Sequence, residues 1–135
     1  MSYSLIGVLL LALALRIGAA IACEGHVFSA DEAHWQRMAE AVWRHGLLSA
    51  EAGFFRPPLY PLLIACIYST LGYEPLFVRL TQAVLSAATC LIPYGLARNV
   101  YGERAGLYAA ILAACHPLFI FFSGIFMAET LLLAC

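Results

Sequence analysis

Hydrophobic residues fall into four runs along the chain, and polar residues collect between them. Three of the runs are long: residues 5–22, 76–97 and 105–122. A helix needs about 20 mostly apolar residues to cross the hydrocarbon core of a bilayer, so each long run predicts a transmembrane span. The fourth run, 59–71, is shorter, which favours a re-entrant or interfacial segment over residues 57–72.

Two of the long runs contain residues that interrupt helices. Pro93 lies in the second run, and His116 followed by Pro117 lies in the third. Proline lacks a backbone N–H and clashes with the preceding helical turn. We therefore expect these two spans to be bent.

The polar stretch 23–56 predicts one amphipathic helix. Ser29, with Glu32 three residues later, fits a capping box at a helix start, and Gly46 predicts its end. Apolar residues then recur on one face at helical spacing: Trp35, Met38, Ala39, Val42 and Trp43. Tryptophans on an apolar face are typical of the headgroup region. The expectation is an interfacial helix that lies on the membrane after the first span.

Polar side chains inside the long runs predict which helix faces avoid lipid. Arg79, Gln82, Ser86 and Thr89 form one stripe along a helix, and such a stripe faces protein or a cavity. Arg16 must either extend to the interface or face the interior of the bundle. Its place near the end of the first run favours extension to the interface.

Composition supports the membrane interpretation. Hydrophobic residues make up 64% of the chain and charged residues 11%, whereas a soluble domain carries roughly a quarter of its residues as charge. The net charge of −1 gives no reason to expect a nucleic-acid partner. The five cysteines lack the close pairs of a zinc or redox motif. The predicted fold class is therefore an all-α integral membrane protein, a multi-span helical bundle.

The topology decides whether the acidic residues can meet. The arginines of the predicted loop 98–104 favour a cytoplasmic connection. If 59–71 does not cross the membrane, Asp31 and Glu129 share the extracytoplasmic face; if it crosses, they lie on opposite faces. Residues 129–135 begin a further apolar run, so we expect the chain to be truncated within its next segment.

Three features are candidates for chemistry. Asp31 and Glu32 open the amphipathic helix, where acids also favour the helix N-terminus for electrostatic reasons alone. Since Glu32 has a capping role, Asp31 is the better functional acid. Arg56, stiffened by the two prolines that follow, is suited to binding a phosphate, although an ordinary headgroup contact explains it as well. Glu129 stands alone in an apolar stretch, where a buried acid is usually functional and an exposed one is not.

Three stretches in this order resemble a known family. They are Asp31-Glu32, residues 56–63 (Arg-Pro-Pro-Leu-Tyr-Pro-Leu-Leu) and residues 101–104 (Tyr-Gly-Glu-Arg). They resemble the N-terminal part of the membrane glycosyltransferases that use polyprenyl-phosphate sugars, the GT-C superfamily, which includes protein O-mannosyltransferases and aminoarabinose transferases. The resemblance implies that residues 1–135 are the N-terminal part of one transmembrane glycosyltransferase domain, and that this part alone is inactive.

The resemblance also implies a mechanism and partners. An inverting enzyme would move a sugar from a polyprenyl-phosphate donor to a lipid, glycan or protein acceptor at the extracytoplasmic face of a bacterial inner membrane. Asp31, Glu32 and Glu129 would be the catalytic acids, with Asp31 as general base. Arg56 would bind the donor phosphate, and Arg79 would have an ion-pairing or structural role. The resemblance allows a divalent metal ion as a cofactor, and Glu129 would help to hold either that metal or the acceptor.

A transporter or flippase segment is the alternative interpretation. It would perform no glycosyl transfer and would use Arg16, Arg79 and the polar stripe inside the bundle. Its essential charges would lie near the membrane midplane, whereas those of the enzyme would lie at the surface.

Overall fold

The computed structural model describes residues 3–26, 30–46 and 58–125. Every regular element in these ranges is an α-helix. The elements are α1 (Tyr3–Ala22), α2 (Ala30–His45), α3 (Leu59–Leu71), α4 (Pro75–Ala88), α5 (Leu91–Tyr101), α6 (Glu103–Cys115) and α7 (Pro117–Gly124). The prediction of an all-α membrane protein is confirmed.

The described helices include two that are long and apolar enough to cross a membrane. One is α1, and the other is the 27-residue unit Pro75–Tyr101, in which α5 continues α4. The pair α6 and α7 is bent by 49° and forms a third candidate if it is taken as one broken span. With 13 residues, α3 is shorter than these spans.

Proline determines where the long helices break. Between α4 and α5 the backbone forms a turn at Thr89 and Cys90, one helical turn before Pro93. The irregular backbone lies one turn before Pro93 because the proline ring clashes with the carbonyl four residues earlier, that of Thr89. Helix α5 still continues α4 as one candidate span. The bend between α6 and α7 lies at His116 and Pro117, as the sequence predicts.

The predicted loop at 98–104 is wrong. Helix α5 continues to Tyr101 and α6 begins at Glu103, so the connection is Gly102 alone. The φ of Gly102 is +89°, and its N–H donates to the Arg98 carbonyl at 2.9 Å. A glycine with positive φ ends a helix within one residue, which turns the expected loop into a tight helical hairpin.

Helix α1 lies at the centre of the bundle and packs against α4, α6 and α7. Its buried face meets a surface of mostly small residues on the other helices. The face of α1 and this surface together form one buried cluster: Leu5, Val8, Ala12, Ala87, Cys90, Tyr94, Ala110 and Ala114. Small residues allow helix backbones to approach closely, which is the usual basis of packing between membrane helices.

The amphipathic helix α2 forms as predicted and ends at Gly46, whose φ is +83°. Its apolar face, however, does not remain free to meet lipid. Helix α3 covers that face, and Trp35 packs edge-on against Tyr60 with ring centroids 5.2 Å apart. The expected membrane-facing tryptophan surface is therefore an internal contact between α2 and α3, because α3 offers a matching apolar face.

The end of α1 and the start of α4 lie at the same end of the bundle. Arg79, in the second turn of α4, donates hydrogen bonds to the carbonyls of Cys23 and His26, which follow α1. Between these points the chain makes no net crossing of the bundle. This geometry agrees with the alternative in which 59–71 does not cross.

Gly106 is predicted to be essential to the α5–α6 hairpin. A Cβ there would lie 2.9 Å from the Tyr94 carbonyl oxygen, whereas a Cβ at Gly95 in the same hairpin meets nothing within 4 Å. Gly106→Ala should destabilise the protein by about 1–3 kcal/mol through overpacking. Gly95→Ala should be neutral or stabilising, since alanine favours helices by about 1 kcal/mol. Thermal unfolding of the detergent-solubilised protein measures both, and equal melting temperatures would contradict this packing.

Candidate functional site

Arg79 joins three separate parts of the chain at one end of the bundle. It is only 3% exposed. Besides the carbonyls of Cys23 and His26, its Nη2 contacts Glu32 Oε1 at 3.0 Å. The turn after α1, the start of α2 and the start of α4 are thereby held together. We call this region, with Ile125 described below, the Arg79 end.

Glu32 is fully buried, with 0% of its surface exposed. A carboxylate in the first turn of a helix is favoured by the helix dipole, and the guanidinium of Arg79 supplies the opposite charge that burial requires. The resemblance implied an ion-pairing role for Arg79, and Glu32 is its partner. The capping role predicted for Glu32 depends on Ser29, which lies outside the described residues.

Asp31 differs from Glu32 in its accessibility. It is half-buried, one residue earlier in the same first turn of α2. Successive residues on a helix point about 100° apart, so the two adjacent acids face different surroundings. Glu32 is enclosed by the protein, whereas Asp31 has a partly open surface, and Glu24, in the turn after α1, is exposed.

The last described residue also lies at the Arg79 end. Gln82, one turn after Arg79, donates from Nε2 to the Ile125 carbonyl at 3.1 Å. Gly124 packs so closely on α1 that a Cβ there would lie 3.0 Å from the Ala19 carbonyl oxygen and 3.0 Å from Cys23 Sγ. The end of α7 therefore lies beside the end of α1.

The predicted polar stripe on α4 faces protein. Arg79, Gln82 and Ser86 are buried and Thr89 is half-buried. Each of the three buried side chains takes part in a bond to another segment. The interpretation of the stripe as an interior face is confirmed.

Arg16 does not extend to the interface, so that prediction is wrong. It is 0% exposed, and its guanidinium contacts α4 and α6 as well as its own helix. The acceptors are Ser86 Oγ (2.8 Å), the carbonyls of Ala12 (3.1 Å), Ala114 (3.1 Å) and Ala113 (3.2 Å), and Cys90 Sγ (3.7 Å). An arginine has five N–H groups, and here each has a protein acceptor. Because these acceptors satisfy the guanidinium inside the bundle, Arg16 does not have to extend to water.

Two predicted site residues, Arg56 and Glu129, lie outside the described residues. Within residues 3–26, 30–46 and 58–125, no group of three or more His, Cys, Asp or Glu side chains is arranged to hold a metal ion. The acid that the resemblance connected with a metal, Glu129, lies outside the described residues.

Sequence reasoning named no partner for Arg79, so it missed both Glu32 and the other acceptors of the guanidinium. The other acceptors are backbone carbonyls in the turn after α1, and a carbonyl is present at every residue, so it carries no sequence signal. The bond from Gln82 to Ile125 was partly foreseeable, because the stripe already required Gln82 to face protein.

These features define a polytopic membrane protein with a buried ion pair, and the partly open acid Asp31 beside it, at one end of a helical bundle. The sequence model of one family, dolichyl-phosphate-mannose-protein mannosyltransferase, matches residues 55–135. The match covers more than half of the chain, and the chain belongs to this family of GT-C glycosyltransferases. No curated protein and no solved structure matches the chain. The matched region contains Arg56, Arg79 and Glu129, and Asp31 precedes it.

The buried ion pair is predicted to contribute far more stability than a surface pair of the same length. Glu32→Gln leaves the buried Arg79 without its counter-charge and should cost about 3–5 kcal/mol. Glu40→Gln on the same helix breaks a pair with Arg44, also 3.0 Å long, whose side chains are 35% and 56% exposed. That change should cost less than about 1 kcal/mol.

Unfolding of the two purified variants in detergent provides the comparison. The double variant Glu32→Gln with Arg79→Gln should recover part of the stability lost by Glu32→Gln alone, because no uncompensated charge remains. Equal losses for Glu32→Gln and Glu40→Gln would show that burial of the pair has no consequence.

Proposed function

We propose that the chain takes part in transferring a sugar from a polyprenyl-phosphate donor to a lipid, glycan or protein acceptor at the extracytoplasmic membrane face. Membership of the family establishes glycosyl transfer in general; the donor, the acceptor classes and the face are our proposal. The observation that carries it is the arrangement at the Arg79 end, where Glu32 is committed to Arg79 and Asp31 has a partly open surface.

Asp31 is proposed as the general base. In an inverting transfer, the acceptor hydroxyl oxygen bonds to the anomeric carbon while the bond from that carbon to the donor phosphate oxygen breaks. The hydroxyl proton passes to the Asp31 carboxylate, and the polyprenyl phosphate leaves with the bonding electrons. A carboxylate at a partly open surface can reach such a hydroxyl, whereas the buried carboxylate of Glu32 positions Asp31 instead.

Arg56 and Glu129 complete the proposal. Arg56 would stabilise the charge that develops on the departing phosphate, since a guanidinium binds phosphate oxygens in pairs. Glu129 follows Ile125 by four residues, a length of chain that extends at most about 14 Å. We propose that it acts at the Arg79 end, to orient the acceptor or, together with Asp31, to bind a divalent metal through carboxylate oxygens.

The transporter alternative gains no support from the described residues. It requires Arg16 and Arg79 to face a substrate path near the midplane. Arg16 has a protein acceptor for each N–H group, and Arg79 is bonded to Glu32 and two backbone carbonyls. Both arginines hold helices together in this structure.

Asp31→Asn is predicted to abolish most of the transfer activity. An asparagine keeps the size of the side chain and removes the base, so kcat should fall by about 10²-fold or more. Glu24→Gln is the matched control, because Glu24 is an exposed acid in the turn that follows α1. Membranes containing the full-length protein are assayed for consumption of polyprenyl-phosphate mannose. Loss of activity in both variants, or in neither, would contradict the role of Asp31.

The two acids are predicted to be accessible from the same side of the membrane. Single cysteines at positions 31 and 129, in a background without the native cysteines, should both react with a membrane-impermeant thiol reagent in intact cells. If position 129 reacts only after permeabilisation, Glu129 does not join Asp31 in a site. If neither position reacts before permeabilisation, the proposed extracytoplasmic face is wrong.

A further inference from the structure

The bend between α6 and α7 creates a local defect in backbone hydrogen bonding. In a continuous helix, the carbonyl of Ala113 would accept a hydrogen bond from the backbone nitrogen of residue 117. Residue 117 is proline, which has no N–H to donate. His116, between the helices, has the extended conformation with ψ of 119°. A carbonyl at a helix end inside a membrane bundle needs another donor.

Arg16 supplies that donor from another helix. Its Nη2 donates to the Ala113 carbonyl at 3.2 Å, and its Nη1 donates to the Ala114 carbonyl at 3.1 Å. Its Nε is anchored on α4 through Ser86 Oγ at 2.8 Å. A positive charge at the carboxyl end of α6 is also favoured by the helix dipole. The guanidinium thus holds the end of α6 in its bent form.

The bend directs α7 toward the Arg79 end. Helix α7 is tilted by 49° from α6, and its last turn reaches α1 where Gly124 meets Ala19 and Cys23. The carbonyl of Ile125 is then bonded to Gln82. Straightening of the α6–α7 unit would move these contacts away from α1 and α4.

We propose that Arg16 is a positioning residue of the transferase: it fixes the α6–α7 bend and so holds Ile125 against Gln82 at the Arg79 end, the end of the bundle at which α2 begins with Asp31. The inference rests on the proposed function for its catalytic consequence, but not for its structural part. Arg16 contacts α6, α4 and α1 and acts on the site only through α7.

A disulfide can report the contact between α7 and α1. The Cβ of a residue at position 124 would lie 3.0 Å from Cys23 Sγ, close to the separation of about 3 Å that the S–S bond length of a disulfide imposes. Cys23 is free. Gly124→Cys is made in the full-length protein with the other native cysteines changed to alanine, and the bond it forms with Cys23 is called the α1–α7 disulfide. Burial raises the pKa of the Cys23 thiol, so oxidation in membranes is carried out at alkaline pH.

Arg16→Met is predicted to lower the yield of the α1–α7 disulfide severalfold. Methionine removes every donor to α6 while preserving an apolar chain. Arg16→Lys, which keeps the charge, should give an intermediate yield. Arg104→Met is the matched control, because Arg104 is an exposed arginine at the other end of α6, and it should leave the yield unchanged. Free thiols are counted after denaturation by their reaction with a maleimide polymer.

A second cross-link separates positioning from general loss of structure. Val42 on α2 packs against Ala65 on α3, in a contact that Arg16 does not touch. A cysteine pair at positions 42 and 65, with Cys23 replaced by alanine, therefore reports on the α2–α3 contact. Arg16→Met should not change the yield of this pair. An equal fall in both disulfides would mean that Arg16 holds the whole fold, and would overturn the proposal.

Turnover of polyprenyl-phosphate mannose tests the catalytic consequence. Arg16→Met should lower kcat by about tenfold or more, because small displacements of a site are costly. Formation of the α1–α7 disulfide in this variant should restore much of the lost kcat. An unchanged disulfide yield, or full activity after loss of the α7 contact, would overturn the proposal. If the parent protein does not consume the donor, the proposed function fails, while the disulfide yields still decide whether Arg16 holds the bend.

Discussion

The buried ion pair between Arg79 and Glu32 is the interaction on which the arrangement of this chain depends. One guanidinium bonds the turn after α1 and the first turn of α2 from its own position near the start of α4. Because the pair is buried, loss of either charge leaves the other uncompensated. The pair thereby fixes the return of the chain to the end of the bundle from which it left α1. It also sets the place of Asp31, the neighbour of Glu32.

Arg16, inside the bundle, likewise bonds separate helices to one another. A membrane offers no water to satisfy polar groups, so each must find a partner in the protein. Pro117 breaks the third long helix between α6 and α7, and this break leaves the carboxyl end of α6 short of donors. Arg16 meets that need across α1, α4 and α6. A charged residue in an apolar helix is in this case an internal support.

The described helices form two groups, the membrane bundle and the pair of α2 and α3. The bundle of α1, α4, α5, α6 and α7 is packed through small residues, and α2 packs on α3 around Trp35 and Tyr60. The two groups of helices meet at Val78 of α4, which packs into the α2–α3 core, and at the pair of Glu32 and Arg79. Asp31 is thus held through its neighbour Glu32, whose bond to Arg79 reaches the membrane helices. This bond is a physical basis for precise placement of Asp31 in the proposed transfer reaction.

Helices α1 and α2, the membrane class and the interior face of α4 follow from the sequence alone. Hydropathy and helical periodicity are local properties, so they placed α1, α2 and the polar stripe through Gln82 and Ser86. The ordered motifs also indicated the family that the match over residues 55–135 shows. Three other features depend on contacts between distant segments: α3 covers the apolar face of α2, the α5–α6 hairpin turns at Gly102, and Arg16 faces inward. The acceptors of Arg16 and Arg79 are mostly backbone carbonyls, up to 98 residues away along the chain. Every residue has a backbone carbonyl, so no sequence pattern predicts which carbonyl an arginine will bind.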